Sequence, residues 1–484
     1  LPYFVKYTFP KDFKSDDSKL CWQGQAYAKT DIYKSINHSE KKCIFINDFY
    51  NDNTDTFIIW FIETGTTEKL KVSFSSSKEI MIKNIAKELI QFLSAILICL
   101  IIFNSFKKFN ILFFFLSFFF SFSIMYYFEP TILDKFLLFE GGNDGLLYVH
   151  FAHLIVDNLV ASNYVEAFRA GEDAYDLMPF YRYVWVLNYV LFDESPWMIF
   201  FIITFLPLVL FIIFKNLLGK AWAFFIIFCW GFFPIFEAFG FFHFYYVKLL
   251  MRGFAEPLSN LLFLSSVAMM ITIYKTKKSN YIIESTPYFF IGLMLSLALG
   301  LRANVLPAFL VLVFFNSSFL LLEKKYKGFI VFGFGLIPCL IMPIHNYYFT
   351  NEIIPLTIAA YKDWNLGAKP IDYIMLIVSL LKFNFDFSLW KKIISHISGE
   401  IKIYEIWYHL AIFSNIYIAL NKKSDLLIRL ISWSAISLLS MILFYHVGGR
   451  YSYLTWTLSL IVFLYWLKNN LIPYLKRLKT NYVS

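Results

Sequence analysis

The sequence predicts an all-α polytopic membrane protein of about eleven transmembrane helices, preceded by a small β-rich region. Three observations predict it. Of 484 residues, 59% are apolar and only 16% charged, against about 25% charged in an ordinary soluble domain. Mean hydropathy is +0.60, and apolar stretches of bilayer length recur along the chain. Lysines fall in every second loop between those stretches. Length alone would suggest roughly three soluble domains. No set of soluble cores hides 59 Phe together with this much Ile and Leu. The same composition excludes disorder, a disulfide scaffold and a fibre.

Residues 1–80 differ from all that follows. They are polar, with turn signals at Asn47-Asp48 and Asn51-Asp52-Asn53. The runs Phe57-Ile58-Ile59-Trp60-Phe61-Ile62 and Lys71-Val72-Ser73-Phe74 lean to strand. A small extracytoplasmic β-rich domain in water is the expectation. Cys21 and Cys43 lie in it and pair if it faces an oxidising compartment. Cys99, Cys229 and Cys339 sit in apolar runs and read as small packing residues. The chain starts at Leu1 without a Met, so a preceding helix or signal is expected to be missing.

The apolar stretches then follow at about 85–104, 109–128, 197–214, 221–240, 254–274, 287–302, 304–322, 328–344, 404–420, 427–446 and 451–467. A bilayer core needs about 20 apolar residues per helix. The close succession of 287–302 and 304–322 leaves room for a re-entrant pair. Lys107-Lys108, Lys215 with Lys220, Lys275 with Lys277 and Lys278, Lys324 with Lys325 and Lys327, Lys422-Lys423, and Lys476 with Arg477 and Lys479 mark alternate loops. Those loops belong to the cytoplasm. The transmembrane domain 85–467 then ends in a cytoplasmic tail, 468–484, in the plasma (inner) membrane of the cell envelope. The net charge, +9 from 43 basic and 34 acidic residues, reads as loop retention on the inner side and not as a nucleic-acid site.

Two outward loops are long, 129–196 and 345–403, and long loops are usually functional. The first holds most carboxylates. It reads Glu140-Gly141-Gly142-Asn143-Asp144-Gly145, then Tyr148, and later Gly171-Glu172-Asp173. Asp144 between glycines can take a proton from a hydroxyl, or be an ordinary turn residue. Glu172-Asp173 can orient an acceptor, bind a cation, or cap a helix beginning at Ala174. Residues 146–168 are amphipathic, with Leu147, Phe151, Leu154, Ile155 and Leu159 on one face. Residues 372–384 offer a second such helix.

Three arginines stand at outer ends of spans, against the inside bias. They are Arg252 in Arg252-Gly253-Phe254-Ala255-Glu256-Pro257, Arg302 in Leu301-Arg302-Ala303-Asn304, and Arg450 in Gly448-Gly449-Arg450-Tyr451. Boundary charges are costly and usually paired or functional, and Arg binds phosphate with two parallel hydrogen bonds. Snorkelling to headgroups is the plain alternative for each. His345 opens the second long loop beside Asn346, Tyr347 and Tyr348. It suits either a phosphate or sugar contact or an interfacial belt. No P-loop, HExxH, CxxC or GxSxG is present. Carboxylates within spans are few, chiefly Glu237 and Glu256, which weighs against a proton-coupled transporter.

Taken in order, these segments resemble the GT-C superfamily of polyprenyl-phosphate-sugar-dependent glycosyltransferases, closest to bacterial protein O-mannosyltransferases and aminoarabinose transferases. The resemblance covers roughly 105–465. Asp144 with Tyr148 is similar to the family's catalytic acidic position in the first outer loop. Met178-Pro179-Phe180-Tyr181-Arg182-Tyr183 and Leu191-Phe192-Asp193-Glu194-Ser195 resemble the Pro-Gly-x-Arg-Tyr and Leu-Phe-Gly-x-Ser run. Phe180 and Asp193 replace its glycines. His345-Asn346-Tyr347-Tyr348-Phe349-Thr350 resembles His-Asn-x-x-Phe-Gly, with Thr350 in place of Gly. Asn143-Asp144 stands where the family usually has two acids.

The resemblance implies a GT-C-like fold and transfer of a sugar from a polyprenyl-phosphate donor to an acceptor hydroxyl on a glycan, lipid or protein. The reaction would be an inverting single displacement at the outer face. Asp144 is the expected base. Arg302 first, then Arg252 and Arg450, with His345 secondary, are the expected donor-phosphate ligands. Glu140, Glu172, Asp173, Tyr148, Tyr181 and Arg182 are candidates for the second carboxylate or the acceptor contacts. Oligosaccharyltransferase-like relatives use a divalent cation and mannosyltransferase-like ones are implied not to, so a metal stays open. The competing expectation is a polytopic transporter or lipid flippase without transferase activity.

Overall fold

The computed structural model describes residues 111–128, 143–192, 197–233, 242–275, 285–358, 370–400, 406–443 and 449–474. It also gives the backbone of six strands before residue 76, and residues 82, 85, 86 and 89. The chain divides into two compact units, Leu1–Cys99 and Leu100–Ser484. The boundary falls inside the first expected span, of which only 85, 86 and 89 are described.

In the first unit β1 (Tyr3–Thr8), β5 (Thr56–Phe61) and β3 (Tyr27–Lys29) form one antiparallel sheet in the order β1-β5-β3. The strands β4 (Lys42–Phe45), β2 (Lys19–Gln23) and β6 (Lys71–Ser75) form another in the order β4-β2-β6. The register sets Leu20 against both Ile44 and Phe74, and Cys21 against Cys43.

The second unit is helical throughout its described residues. Its helices are α1 (Ile111–Phe128), α2 (Asn143–Val160), α3 (Tyr164–Arg169), α4 (Phe180–Phe192), α5 (Trp197–Leu218), α6 (Lys220–Phe232), α7 (His243–Met251), α8 (Glu256–Lys275), α9 (Thr286–Leu301), α10 (Leu306–Leu322), α11 (Tyr326–Leu336), α12 (Ile341–Thr350), α13 (Pro370–Leu381), α14 (Phe387–Glu400), α15 (Ile406–Leu420), α16 (Leu426–Leu439) and α17 (Tyr453–Trp466). An apolar helix lies within every expected span after the first. Among the described residues three continuous helices are long and apolar enough to cross a membrane: Glu256–Lys275, Ala303–Leu322 and Tyr326–Thr350. Helix Ala303–Leu322 has bilayer length on its own.

Packing between α9 and α11 is close because neither presents a side chain at the crossing. A Cβ on Gly292 would lie 2.5 Å from the carbonyl oxygen of Phe332, and one on Gly335 would lie 2.2 Å from that of Phe289. Small residues of this kind let helix backbones meet where lipid gives no hydrophobic drive. One continuous core runs through the bundle, with Ile203, Ile213, Phe263, Ile291, Leu295, Ile428 and Leu458 essentially inaccessible.

The amphipathic stretch after Asp144 differs from expectation. It breaks into α2 and α3 at Ser162, which takes a left-handed φ of 61°. Its inward face is Tyr148, Phe151, Ala152 and Ile155, while Leu159 is 42% exposed. Positions 148, 151, 152 and 155 are the i, i+3, i+4 and i+7 set of one helical face. Leu159 continues that face but lies in the last turn of α2, next to its end at Val160.

Candidate active site

Four charged side chains from four separate segments meet at one place. Asp144 lies in the first turn of α2, where the helix dipole favours a negative charge. This stretch is helical, so the turn expected from Asn-Asp-Gly is absent. Gly145 explains how close α2 comes to its neighbour: a Cβ there would sit 2.4 Å from the Arg252 carbonyl oxygen.

The partner segment is the end of α7. Gly253, at φ +79°, closes that helix in the left-handed conformation. The N–H of Gly253 donates to the Leu250 carbonyl and that of Phe254 to the Leu249 carbonyl. Glycine is the usual residue at this cap because it has no Cβ to clash. The chain then turns into α8, and Glu256 is its first residue. Arg302 caps the C-terminus of α9 in an extended conformation, between α9 and the 3-10 turn Ala303–Val305. Arg450 lies on the 3-10 turn Gly449–Ser452, just before α17.

Arg450 donates from Nη2 to Asp144 Oδ2 at 2.8 Å and from Nε to Glu256 Oε1 at 2.8 Å. Arg302 donates from Nη2 to that same Oε1 at 2.6 Å. The order is therefore Asp144, Arg450, Glu256, Arg302. The Glu256 side chain is 3% exposed and that of Asp144 35%, so the chain of ion pairs runs from the interior toward an open end. Aromatic faces carry the guanidinium groups. Arg450 stacks 3.6 Å over the Phe254 ring, and both arginines lie 5.1 Å from the Tyr451 ring centre. Asn304 donates to the Tyr451 carbonyl at 2.9 Å, tying the Arg302 segment to the Arg450 segment.

Tyr148, one turn beyond Asp144, is 1% exposed. Burial pushes its hydroxyl up to about 12; Glu256 and Asp144 add to this, and Arg302 and Arg182 oppose it. Among the described residues its oxygen has no hydrogen-bond partner, and neither does Glu256 Oε2. Tyr181 meets the Tyr148 ring edge-on at 5.1 Å.

The other expected residues form a second cluster. Arg182 is fully buried. It donates to Glu172 Oε2 at 2.8 Å and to the Ala170 carbonyl at 3.1 Å, beneath the rings of Phe151 and Tyr175. His345 is fully buried, stacked 3.8 Å from Tyr175, with Nε2 donating to the Arg169 carbonyl at 3.2 Å. Asn346 Oδ1 accepts from the Tyr175 N–H. Arg169 donates to Asp173 at 2.6 Å. These contacts rivet the segment after α3 to α12. His345 makes its contacts with Tyr175, Phe168, Phe349 and the Arg169 carbonyl, and Tyr181 and Arg182 are fully buried. No helix starts at Ala174, so Glu172-Asp173 is not a cap. Glu140 lies outside the described residues, as does the side chain of Asn143.

Glu256 is the residue that sequence reasoning did not place in the site, although its rarity as a carboxylate within a span was visible. Arg450, ranked after Arg302 from sequence, is the arginine that touches Asp144. Arg252 contributes its backbone carbonyl under Gly145. Among the described residues no three His, Cys, Asp or Glu side chains gather. Asp144 and Glu256 are each held by a guanidinium, so the four side chains balance in charge.

No family model, no curated protein and no solved structure matches this chain.

Proposed function

We propose that this chain is a membrane glycosyltransferase of GT-C type that moves a sugar from a polyprenyl-phosphate donor to an acceptor hydroxyl at the outer face of the plasma membrane. The observation that carries this reading is the Asp144–Arg450–Glu256–Arg302 chain, in which the proposed base pairs with Arg450, and Arg450 and Arg302 share Glu256. The resemblance of the segments around Asp144, Arg252, Arg302 and His345 to that superfamily supports it. The eleven-span arrangement, with residues 1–80 outside and the C-terminus in the cytoplasm, belongs to the same proposal and rests on the alternation of lysines.

In the reaction Asp144 takes the proton of the acceptor hydroxyl. The oxygen attacks the anomeric carbon, the bond from that carbon to the phosphate oxygen breaks, and the configuration inverts. Phosphate leaves as an anion, so its developing charge needs cations more than a proton. Arg450 and Arg302 supply them. Because Arg450 also holds Asp144, an arriving phosphate competes for that guanidinium and frees the carboxylate to act as base. Donor binding thereby precedes activation of the acceptor.

The test is transfer by the purified protein, in lipid, from a panel of polyprenyl-phosphate sugars, with and without chelator. The expected result is an inverted glycosidic product. Absence of transfer from every donor, with lipid translocation observed instead, favours a flippase.

A further inference from the structure

We propose that the hairpin of α13 and α14 seats its outer face in the interfacial zone of a membrane rich in anionic lipid. The inference is independent of sugar transfer. The seam of the hairpin is small and already filled: Leu376 and Ile393 are buried in it, with Tyr373 and Leu389 packed against them. Lys392 reaches across to Asp372 at 2.6 Å. Asp386 caps α14, its Oδ1 accepting from the N–H groups of Ser388 at 3.0 Å and Leu389 at 3.1 Å. The hairpin is thus a built unit that does not use its other apolar residues for its own core.

Those residues form a second stripe on each helix. On α13, Ile374, Ile377 and Leu381 are exposed, as are Met375, Val378 and Leu380 beside them; on α14, Phe387, Trp390 and Ile394 are exposed. Spacings of three and four place each trio on one face. Phe383 joins the two stripes at the tip. It is 98% exposed and left-handed, with φ +56°. The cap is closed by Asn384 N–H donating to the Ser379 carbonyl and Phe383 N–H to the Leu380 carbonyl. Glycine ordinarily fills that position. Phenylalanine there accepts a Cβ clash that glycine avoids, and no described residue covers its ring.

Charge points to the occupant. Lys382 and Lys391 flank the aromatic tip and are exposed, against one carboxylate there, Asp386, which the cap hydrogen bonds keep ionised; Asp372 is paired with Lys392. Aliphatic stripes leading to a tip of Phe and Trp, collared by lysine, are the composition of an element lying between headgroups and acyl chains. The lysine ammonium groups complement lipid phosphates.

The test uses the full chain with Phe383→Cys carrying an NBD fluorophore. It is reconstituted in phosphatidylcholine vesicles or in an equal mixture with phosphatidylglycerol, with brominated acyl chains in each. Glu352→Cys, exposed just after α12, is the reference, and the unsubstituted chain labelled identically is the blank. The expected result is several-fold stronger quenching at 383 than at 352, greater in the anionic vesicles and reduced there by Lys382→Glu with Lys391→Glu. Quenching at 383 no greater than at 352, or equal in both vesicles, overturns the proposal. So does a fluorophore shielded in lipid-free micelles by a second copy of the chain.

Discussion

Asp144 and Arg450 lie 306 positions apart in sequence and meet in a hydrogen-bonded ion pair of 2.8 Å. One guanidinium thereby holds the expected base with one nitrogen and the buried Glu256 with another. Each expectation below follows from breaking one link of that chain or its scaffold.

Asp144→Asn keeps an oxygen to accept from Arg450 and removes the basic site. Insertion and melting temperature should stay near wild type, while turnover falls by roughly 10²–10⁴, the usual contribution of a general base. Transfer assays on purified protein decide it, and a wild-type rate removes Asp144 from the base role.

Arg302 and Arg450 are expected to differ from each other in a binding assay with farnesyl phosphate, using farnesol as the neutral control. Arg302→Ala should weaken binding far more than Arg302→Lys, because a lysine can keep the charge beside Glu256. Arg450→Gln should weaken binding and also lower turnover, since Arg450 alone of the two touches Asp144. Equal affinity for the phosphate and the alcohol in wild type would end the phosphate assignment.

Glu256 separates positioning from simple charge balance. Glu256→Gln removes a negative charge beside two cations. If Glu256 only offsets their charge, phosphate binds more tightly; if it aligns the guanidiniums, phosphate binds more weakly. Alignment is the expected outcome, and Glu256→Asp, one methylene shorter with its charge kept, should weaken binding as well. Removing one partner of a buried pair also costs about 3–5 kcal/mol of stability, visible as a lower melting temperature.

Gly145→Ala tests the contact beneath Asp144. Its new Cβ would fall 2.4 Å from the Arg252 carbonyl oxygen, and backbone cannot swing aside as a side chain can. Overpacking of this kind costs about 1–3 kcal/mol. Activity should drop with the base still present, because α2 must retreat and carry Asp144 from Arg450. A variant with wild-type stability and rate would show that α2 does not depend on this approach.

Alkaline pH should expose the buried phenol. Tyr148 moves from its ordinary 10.0 to about 12 on folding, so the folded chain keeps a proton that the unfolded chain loses. Its stabilisation is complete below pH 10 and is lost as pH rises toward 12. Two pH units correspond to on the order of 2–3 kcal/mol. Tyr148→Phe should therefore show a flatter fall in melting temperature over that window. At neutral pH it should be at least as stable as wild type, since the hydroxyl it removes has no partner among the described residues.

Much of this organisation was legible in the sequence. Runs of Phe, Ile and Leu locate the helices because length and hydropathy alone decide whether a segment suits a bilayer. Arginines at span ends stood out because their position is costly. What the sequence does not reveal is pairing across the fold. Nothing local says that Arg450 reaches Asp144, or that Glu256 shares one oxygen between two arginines. Those contacts depend on which helix ends share an edge of the bundle. His345 and Arg182 show the same gap from the other side. Their chemistry suits a ligand, yet the carbonyls of Arg169 and Ala170 and the Tyr175 ring occupy them. A single chain gives no signal to separate a binding group from a rivet of the same type.

The glycine seam between α9 and α11 has a consequence for Arg302. That arginine ends α9, ten residues beyond Gly292, or about 15 Å along the axis at 1.5 Å per residue. The helix acts as a rod clamped at Gly292 and Gly335, with the guanidinium at its free end. A methyl group inserted at the clamp tilts the rod, and the tilt is magnified where Arg302 meets Glu256. A site of four charges is thus calibrated by two residues that carry no functional group at all.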